Sequence, residues 1–308
     1  MRYLLFTLLL TLLLPLIAFT QDSTAYTQQE IIYGHKHGLA LTMVIVKPGK
    51  SNGKGIVSIV SGNWVSNYNS YSRSLDGAKP FLAAGYTVFL TMHSSAPAFD
   101  ITVAITDIKR AIQFVRYNAA ANGIDANNIG ITGTSSGGHL ALVAATSDDI
   151  ANPNAKDPVE KVSSKVQAAA VFAPPTDFLN WGKLKFNPVK QKALLQLQGV
   201  LGAFEFKKFD SAKMIYTLID DSAKILAIAK SISPAESVTA DDAPIYIIHG
   251  DKDIVVPLQQ SELIKEKMLV AKVPVVLKIK PDAGHGWKNM ADDRKEFIKW
   301  FDTYLKVN

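Results

Sequence analysis

The chain of 308 residues contains no cysteine. That excludes a disulfide framework, a thiol nucleophile and any zinc site built on thiolates. It does not exclude export, because a chain of this length buries a sizeable core without cross-links. No run of basic residues exceeds two, as at Lys207-Lys208, and the formal net charge of +6 is mild for this length. Nucleic-acid binding therefore finds no support, and no nucleic-acid motif is present. No low-complexity tract and no internal repeat appears, so repeat architectures are excluded. Only six histidines occur and none falls in H-E-x-x-H spacing, so no metal site is legible.

What is present begins with a short apolar run. Arg2 is the only charge before Asp22, and Leu4 to Phe19 is almost wholly apolar, with Pro15 interrupting it. Ala18 precedes a cut site after Thr20. A positive start, a short apolar stretch and small residues read as a secretory signal peptide over 1–20, with the rest, 21–308, working in the periplasm or outside the cell. The alternative is an uncleaved N-terminal anchor. After signal removal no stable membrane insertion is expected.

From Leu39 onward short β-branched runs alternate with amphipathic stretches. The runs Ile56–Val60, Thr87–Met92, Ile129–Thr132, Ala168–Phe172, Pro244–His249 and Val275–Ile279 read as strands buried on both faces. Ile101 to Ala121 reads as a helix, with Ile101, Ala104, Ile105, Ile108, Ala111, Ile112 and Val115 on one stripe and Asp100 as N-cap. Ser136–Thr146, Ser261–Val270 and Asp292–Leu305 read as further helices. This order predicts an α/β fold, a mostly parallel sheet flanked by helices in a single domain. Residues 178–232 hold helix formers and no convincing strand, and are expected to form a helical cap insertion.

The stretch Gly133-Thr134-Ser135-Ser136-Gly137 matches G-x-S-x-G where a strand meets a helix. A serine on so sharp a turn needs small residues two before and two after it. Glycines fill both places around Ser135, whereas Ser136 has Thr134 on one side. Ser135 is thus the candidate nucleophile, at a helix N-terminus that favours negative charge. A serine needs a base and the base an orienting acid, in chain order Ser, acid, His. The loop after Pro244–His249 offers Asp253, with Asp251 as its rival and the residue expected to shape the turn. The loop after Val275–Ile279 offers His285 between two glycines as the base. His93 ends a middle strand and is placed to line a pocket. His139 follows Ser135 by one helical turn and is expected to support the elbow from below. The Ser136 N–H and those of Gly62 and Asn63 are candidates for an oxyanion hole. Trp64 and Trp287 flank the site as candidate substrate-binding residues or as core tryptophans. Asp177 is expected at the pocket rim or as a cap.

The segments "SGNWVS", "FLAAGYTVF", "GITGTSSGGHLA", "IYIIHGDKDIVVP" and "DAGHGW" resemble those of the α/β-hydrolases, in particular the bacterial feruloyl-esterase and dienelactone-hydrolase-like esterase group. The resemblance runs from about Tyr33 to the C-terminus and is weakest in the insertion. It implies a serine-hydrolase triad of Ser135, Asp253 and His285, an oxyanion hole at the Gly62 loop, carboxylic-ester substrates, often on plant polysaccharides, and no cofactor. The chain departs from the group's pattern in carrying Ser61-Gly62-Asn63 where relatives have His-Gly-Gly, and in lacking an aspartate on the "LTMVIVKP" strand. The expected activity is that of an exported serine carboxylesterase on a small acyl ester or a polysaccharide ester. Two other readings use the same scaffold: a peptidase of the prolyl-oligopeptidase type, though no N-terminal propeller is present, and a binding protein without catalysis.

Overall fold

A computed structural model of the chain describes residues 26–36, 38–182 and 185–306. The expected signal peptide lies outside the described residues. An eight-stranded sheet forms the centre. Its strands are β1 (Tyr26–Lys36), β2 (Leu39–Pro48), β3 (Gly55–Ile59), β4 (Thr87–Thr91), β5 (Ile129–Thr134), β6 (Ala168–Phe172), β9 (Ile245–Gly250) and β10 (Val275–Lys280). The spatial order is β1-β2-β4-β3-β5-β6-β9-β10. Every pair from β4 to β10 is parallel, and β1 and β2 add an antiparallel edge. The fold is that of the α/β-hydrolases. His35 lies within β1.

The apolar runs form strands because both faces of this sheet are covered. Successive residues of β6 show it: Ala168, Ala170 and Phe172 face one core, and Ala169 and Val171 the other. Helices α1 (Tyr71–Ala83) and α7 (Met290–Tyr304) cover the first face, with Phe81, Phe297 and Phe301 buried there. Helices α2 (Ile101–Tyr117), α3 (Ser136–Thr146) and α6 (Gln259–Val270) cover the second. The Asp100 carboxylate caps α2 by accepting the Thr102 N–H at 2.9 Å. Helix α3 is buried along its whole length, as an element between the sheet and its neighbours must be. No described helix is long and apolar enough to cross a membrane.

The segment 178–232 departs from the helical expectation. It holds α4 (Lys192–Leu197) and α5 (Ser222–Ser231), but between them a hairpin of β7 (Lys207–Asp210) and β8 (Ile215–Leu218). Phe209 sits opposite Tyr216 with ring centroids 5.1 Å apart, and the Asp210 carboxylate accepts the turn N–H groups of Ala212 and Lys213. A hairpin with most of its side chains in water needs only such local pairs, so its residues carry no buried-strand pattern.

His139 ties this segment to the sheet. Its ring is fully buried, Nε2 donates to the Ile232 carbonyl at 2.7 Å and Nδ1 accepts the Trp64 indole N–H at 3.1 Å. The Ile232 carbonyl can only accept, which sets the tautomer. Burial pushes the imidazole down from 6.5 to about 4, only partly offset by the hydrogen bond to Ile232. The unfolded chain therefore binds a proton between these values that the folded chain refuses. Stability supplied by neutral His139 is complete above pH 6.5 and lost as pH falls toward 4, at no more than about 1.4 kcal/mol per pH unit. Urea unfolding from pH 7 to 4 should give a steeper decline for the parent than for His139→Gln. Parallel curves would show that His139 does not titrate on unfolding.

Candidate active site

Ser135 joins β5 to α3 with φ 54° and ψ −122°, a left-handed backbone that a serine adopts only under constraint. Its N–H donates to the Phe172 carbonyl of β6 at 2.9 Å. The glycines supply clearance. A Cβ at Gly133 would fall 2.3 Å from the Gly137 backbone, and one at Gly137 would fall 3.2 Å from the Ile59 carbonyl oxygen. Ser136, by contrast, is wholly buried, its hydroxyl 3.1 Å from that of Ser61. Ser135 is the serine presented to a cavity.

The loop after β9 and the loop after β10 meet over it. His285 Nε2 lies 2.8 Å from Ser135 Oγ, and His285 Nδ1 lies 2.7 Å from Asp253 Oδ2. A carboxylate can only accept, so Nδ1 carries the proton and the bare Nε2 accepts the serine O–H. Asp251 is exposed and makes no side-chain contact with His285, consistent with its place at the turn. Asp253 is buried and fully satisfied. Its Oδ1 accepts the N–H groups of Val255 and Val256, each at 2.9 Å. Its Oδ2 also accepts from His249 Nε2 at 3.2 Å. Burial alone would raise this carboxyl, but the hydrogen bonds from His249, His285 and Val256 outweigh it and hold the group well below the usual carboxylate range.

His249 is the partner that sequence reasoning left without a role. Fully buried at the end of β9, it shares its Nε2 proton between the Val256 carbonyl at 2.9 Å and Asp253. Its Nδ1 lies 2.7 Å from the Ser261 hydroxyl of α6. Its position two residues before Asp251 was the available signal, but a buried histidine after a strand carries no mark of what it touches.

The oxyanion candidates divide. The Gly62 N–H is spent on the Val65 carbonyl at 3.0 Å, closing a tight turn in which Asn63 and Trp64 have φ of 52° and 57°. Gly62 is therefore not a free donor. The N–H groups of Asn63 and Ser136 have no acceptor among the described residues, and the latter opens α3. Trp64 is buried against Phe178 and Phe204 and reaches a cavity wall. Trp287 does not reach either cavity at Ser135. Its indole N–H donates to Asp293 at 2.6 Å and its ring packs on Phe172, because the loop after His285 turns it toward α7. Asp177 lines neither cavity and caps no helix; its carboxylate closes a bend by accepting the N–H groups of Leu179 and Asn180 at 2.7 and 3.0 Å. His93 lines neither cavity; it is buried with Nδ1 2.8 Å from the Ser94 carbonyl, and burial lowers its pKa.

Two cavities share Ser135. One, of about 500 Å³, is lined by Gly62, Ser74, His285, Arg73 and Arg294 among others. The other, of about 400 Å³, is lined by Asn63, Trp64 and Ser136, by Phe178, Trp181, Leu195 and Phe204 beyond β6, and by Ile254 and Val255 of the Asp253 loop. Apolar side chains form much of both walls; what distinguishes the first is charge, from Arg73, Asp76 and Arg294, where no charged residue lines the second.

Known proteins align with this arrangement. The chain is 28% identical over 191 residues to the probable carboxylic ester hydrolase LipM and 27% identical over 251 residues to the esterase LipQ, both of Mycobacterium tuberculosis. These alignments cover 62% and 79% of the chain but only 39% and 52% of those proteins, so the chain spans about half or less of the length of these curated relatives. A truncated carbohydrate esterase from gut microbiota superposes with a TM-score of 0.72 at 26% identity, over 92% of this chain and 98% of that one. The BD-FAE family model matches residues 43–268, a span from within β2 to within α6 that includes Ser135 and Asp253, and the chain belongs to the BD-FAE family.

Proposed function

We propose that the protein is an exported serine carboxylesterase, acting on a small acyl ester or an ester carried by a polysaccharide. The observation that carries the reading is the continuous line from Asp253 through His285 to Ser135, with contacts of 2.7 and 2.8 Å and the ring in the tautomer a general base requires. Ser135 Oγ attacks the ester carbonyl while His285 Nε2 takes its proton. The N–H groups of Ser136 and Asn63 receive the oxyanion. His285 then returns the proton to the leaving alcohol. Water, deprotonated by the same nitrogen, frees the acid from Ser135. Asp253 stays ionised throughout and stabilises the imidazolium, as its depressed pKa fits it to do.

The two cavities divide the substrate. The leaving oxygen has to come within hydrogen-bond reach of His285 Nε2, so the alcohol belongs in the charged cavity that His285 lines. The acyl group belongs in the apolar cavity, whose walls meet Ser135 beside the Asn63 and Ser136 amides. The gut-microbiota carbohydrate esterase supports an ester on a carbohydrate as the substrate class. Export is supported by Arg2 and the apolar run Leu4 to Phe19.

A fluorophosphonate probe should label the parent and leave Ser135→Ala unlabelled, with p-nitrophenyl acetate turnover reduced by roughly 10⁴-fold or more. Equal labelling of both would remove Ser135 from the mechanism, and faster turnover of a peptide amide than of the ester would favour a peptidase. His249→Gln should lower kcat by about ten- to a hundredfold with KM little changed, short of the ~10⁴-fold loss expected for Asp253→Asn. A change confined to KM would mean that His249 does not act through Asp253. When the full chain is expressed with its own N-terminus, N-terminal sequencing of the protein outside the cytoplasm should begin at Gln21. A protein retained in the membrane and starting at Met1 would be an anchored one.

A further inference from the structure

Arg294, in the second turn of α7, lines the charged cavity together with Ser135 and His285. Its guanidinium packs against two surfaces. The Phe172 ring lies on one side, 5.3 Å from Cζ to the centroid. The α1 backbone also lies against it at Gly77, where a Cβ would fall 3.0 Å from a terminal nitrogen. A ring face and a glycine offer the guanidinium no side-chain acceptor, so its five N–H donors are left for another partner. Among the described residues Arg294 makes no hydrogen bond and no ion pair.

The neighbouring acids are engaged elsewhere. Asp292 pairs with Lys295 at 3.6 Å and Asp293 with Lys280 at 3.0 Å. Asp76, the acid in the cavity wall, pairs with Lys79 at 2.7 Å. Arg73, exposed on α1, adds a second guanidinium to the same wall, also without an ion pair among the described residues. The cavity is thus cationic, and burial pushes the pKa of Arg294 down with no counter-charge opposing it. A half-buried cation without a partner is costly, and an anion entering the cavity would offset that cost.

We propose that the charged cavity is a carboxylate subsite for the alcohol part of the ester, such as an acylated uronic-acid sugar, with Arg294 as the principal carboxylate-binding residue and Arg73 as a second cation. That the carboxylate sits on the alcohol rests on the esterase reading, because His285 shares this cavity. The choice of carboxylate rests on the planar fork of Arg294, which matches two carboxylate oxygens at once. Arg294 touches neither the nucleophile nor the base in this arrangement, so it acts on specificity.

Two measurements test this. The first compares kcat/KM for acetylated methyl glucuronoside, acetylated methyl glucoside and the 6-sulfated glucoside. The glucuronoside should exceed the glucoside by roughly tenfold or more at low salt, and the ratio should fall as salt is added. In Arg294→Met the ratio should approach one, and in Arg294→Lys it should lie between, whatever happens to the absolute rates. Arg73→Met, on an exposed side chain, should lower the ratio without unfolding the protein. The second measures binding of unacetylated methyl glucuronoside and methyl glucoside by calorimetry, which reads the subsite without turnover. Tighter binding of the glucuronoside by the parent, lost in Arg294→Met, supports the subsite even if no ester is cleaved, in which case only the esterase reading falls. Equal binding of the two sugars, or a ratio near one in a parent that hydrolyses p-nitrophenyl acetate, overturns the subsite and leaves the esterase reading standing. An equal or larger preference for the sulfate overturns the assignment to carboxylate.

Discussion

The left-handed backbone of Ser135 is the constraint around which the rest of the molecule is arranged. Such a conformation costs on the order of 1–3 kcal/mol for a residue with a side chain. It persists because its surroundings leave no alternative. The Ser135 N–H is bonded to the end of β6, Gly133 lies too close to the Gly137 backbone for any side chain, and α3 is buried from its first residue. Relaxing the turn would pull α3 out of the centre of the core. The strain is thus held by the burial of a whole helix, and its result is a hydroxyl that projects beyond the sheet at the N-terminus of that helix.

Everything else at the site is brought to that point by topology. In a parallel sheet every loop after a strand opens on the same edge, so the loops after β3, β5, β6, β9 and β10 converge although their residues lie far apart in the chain. This is why the core strands and the trio Ser135, Asp253 and His285 were legible in the sequence. Buried strands announce themselves as short apolar runs, and each member of the trio follows one of them. The elements missed are those whose pattern burial does not dictate. β1 is a half-exposed edge strand. α1 carries Pro80 and a mixed surface, and the β7–β8 hairpin is held by local pairs. Within the site the same limit applied to direction. Whether Gly62 or Asn63 presents a free N–H depends on a turn closed between Gly62 and Val65 with two non-glycine residues at positive φ, which no composition rule foretells. Trp287 stands two residues from His285 in the chain, yet its loop carries it to Asp293 and Phe172.

The acid loop carries more than the acid. Asp253 has its four hydrogen bonds from two backbone amides of its own loop and from two histidines, and the residues donating those amides continue into the wall of the apolar cavity. Displacing Ile254 or Val255 would therefore disturb the carboxylate as well as the pocket. His249 secures the other side by bridging Asp253, Val256 and the Ser261 hydroxyl of α6, so the position of the acid is referred to the core rather than to a mobile loop.

The loop that carries His285 has a matching second duty. It leads directly into α7, whose first turns bring Met290, Ala291 and Arg294 to the charged cavity. Phe172 links the two sides, because its carbonyl fixes the Ser135 elbow while its ring supports the Arg294 guanidinium. The loop with the proposed acid thus walls the apolar half of the site, and the loop with the proposed base leads to the cationic half. An ester with an anionic alcohol would fit the proposed subsite in one orientation, because the reversed pose would bury that charge among Phe178, Trp181 and Phe204, where no charged residue lines the wall. In that orientation the leaving oxygen would face His285, the proposed base.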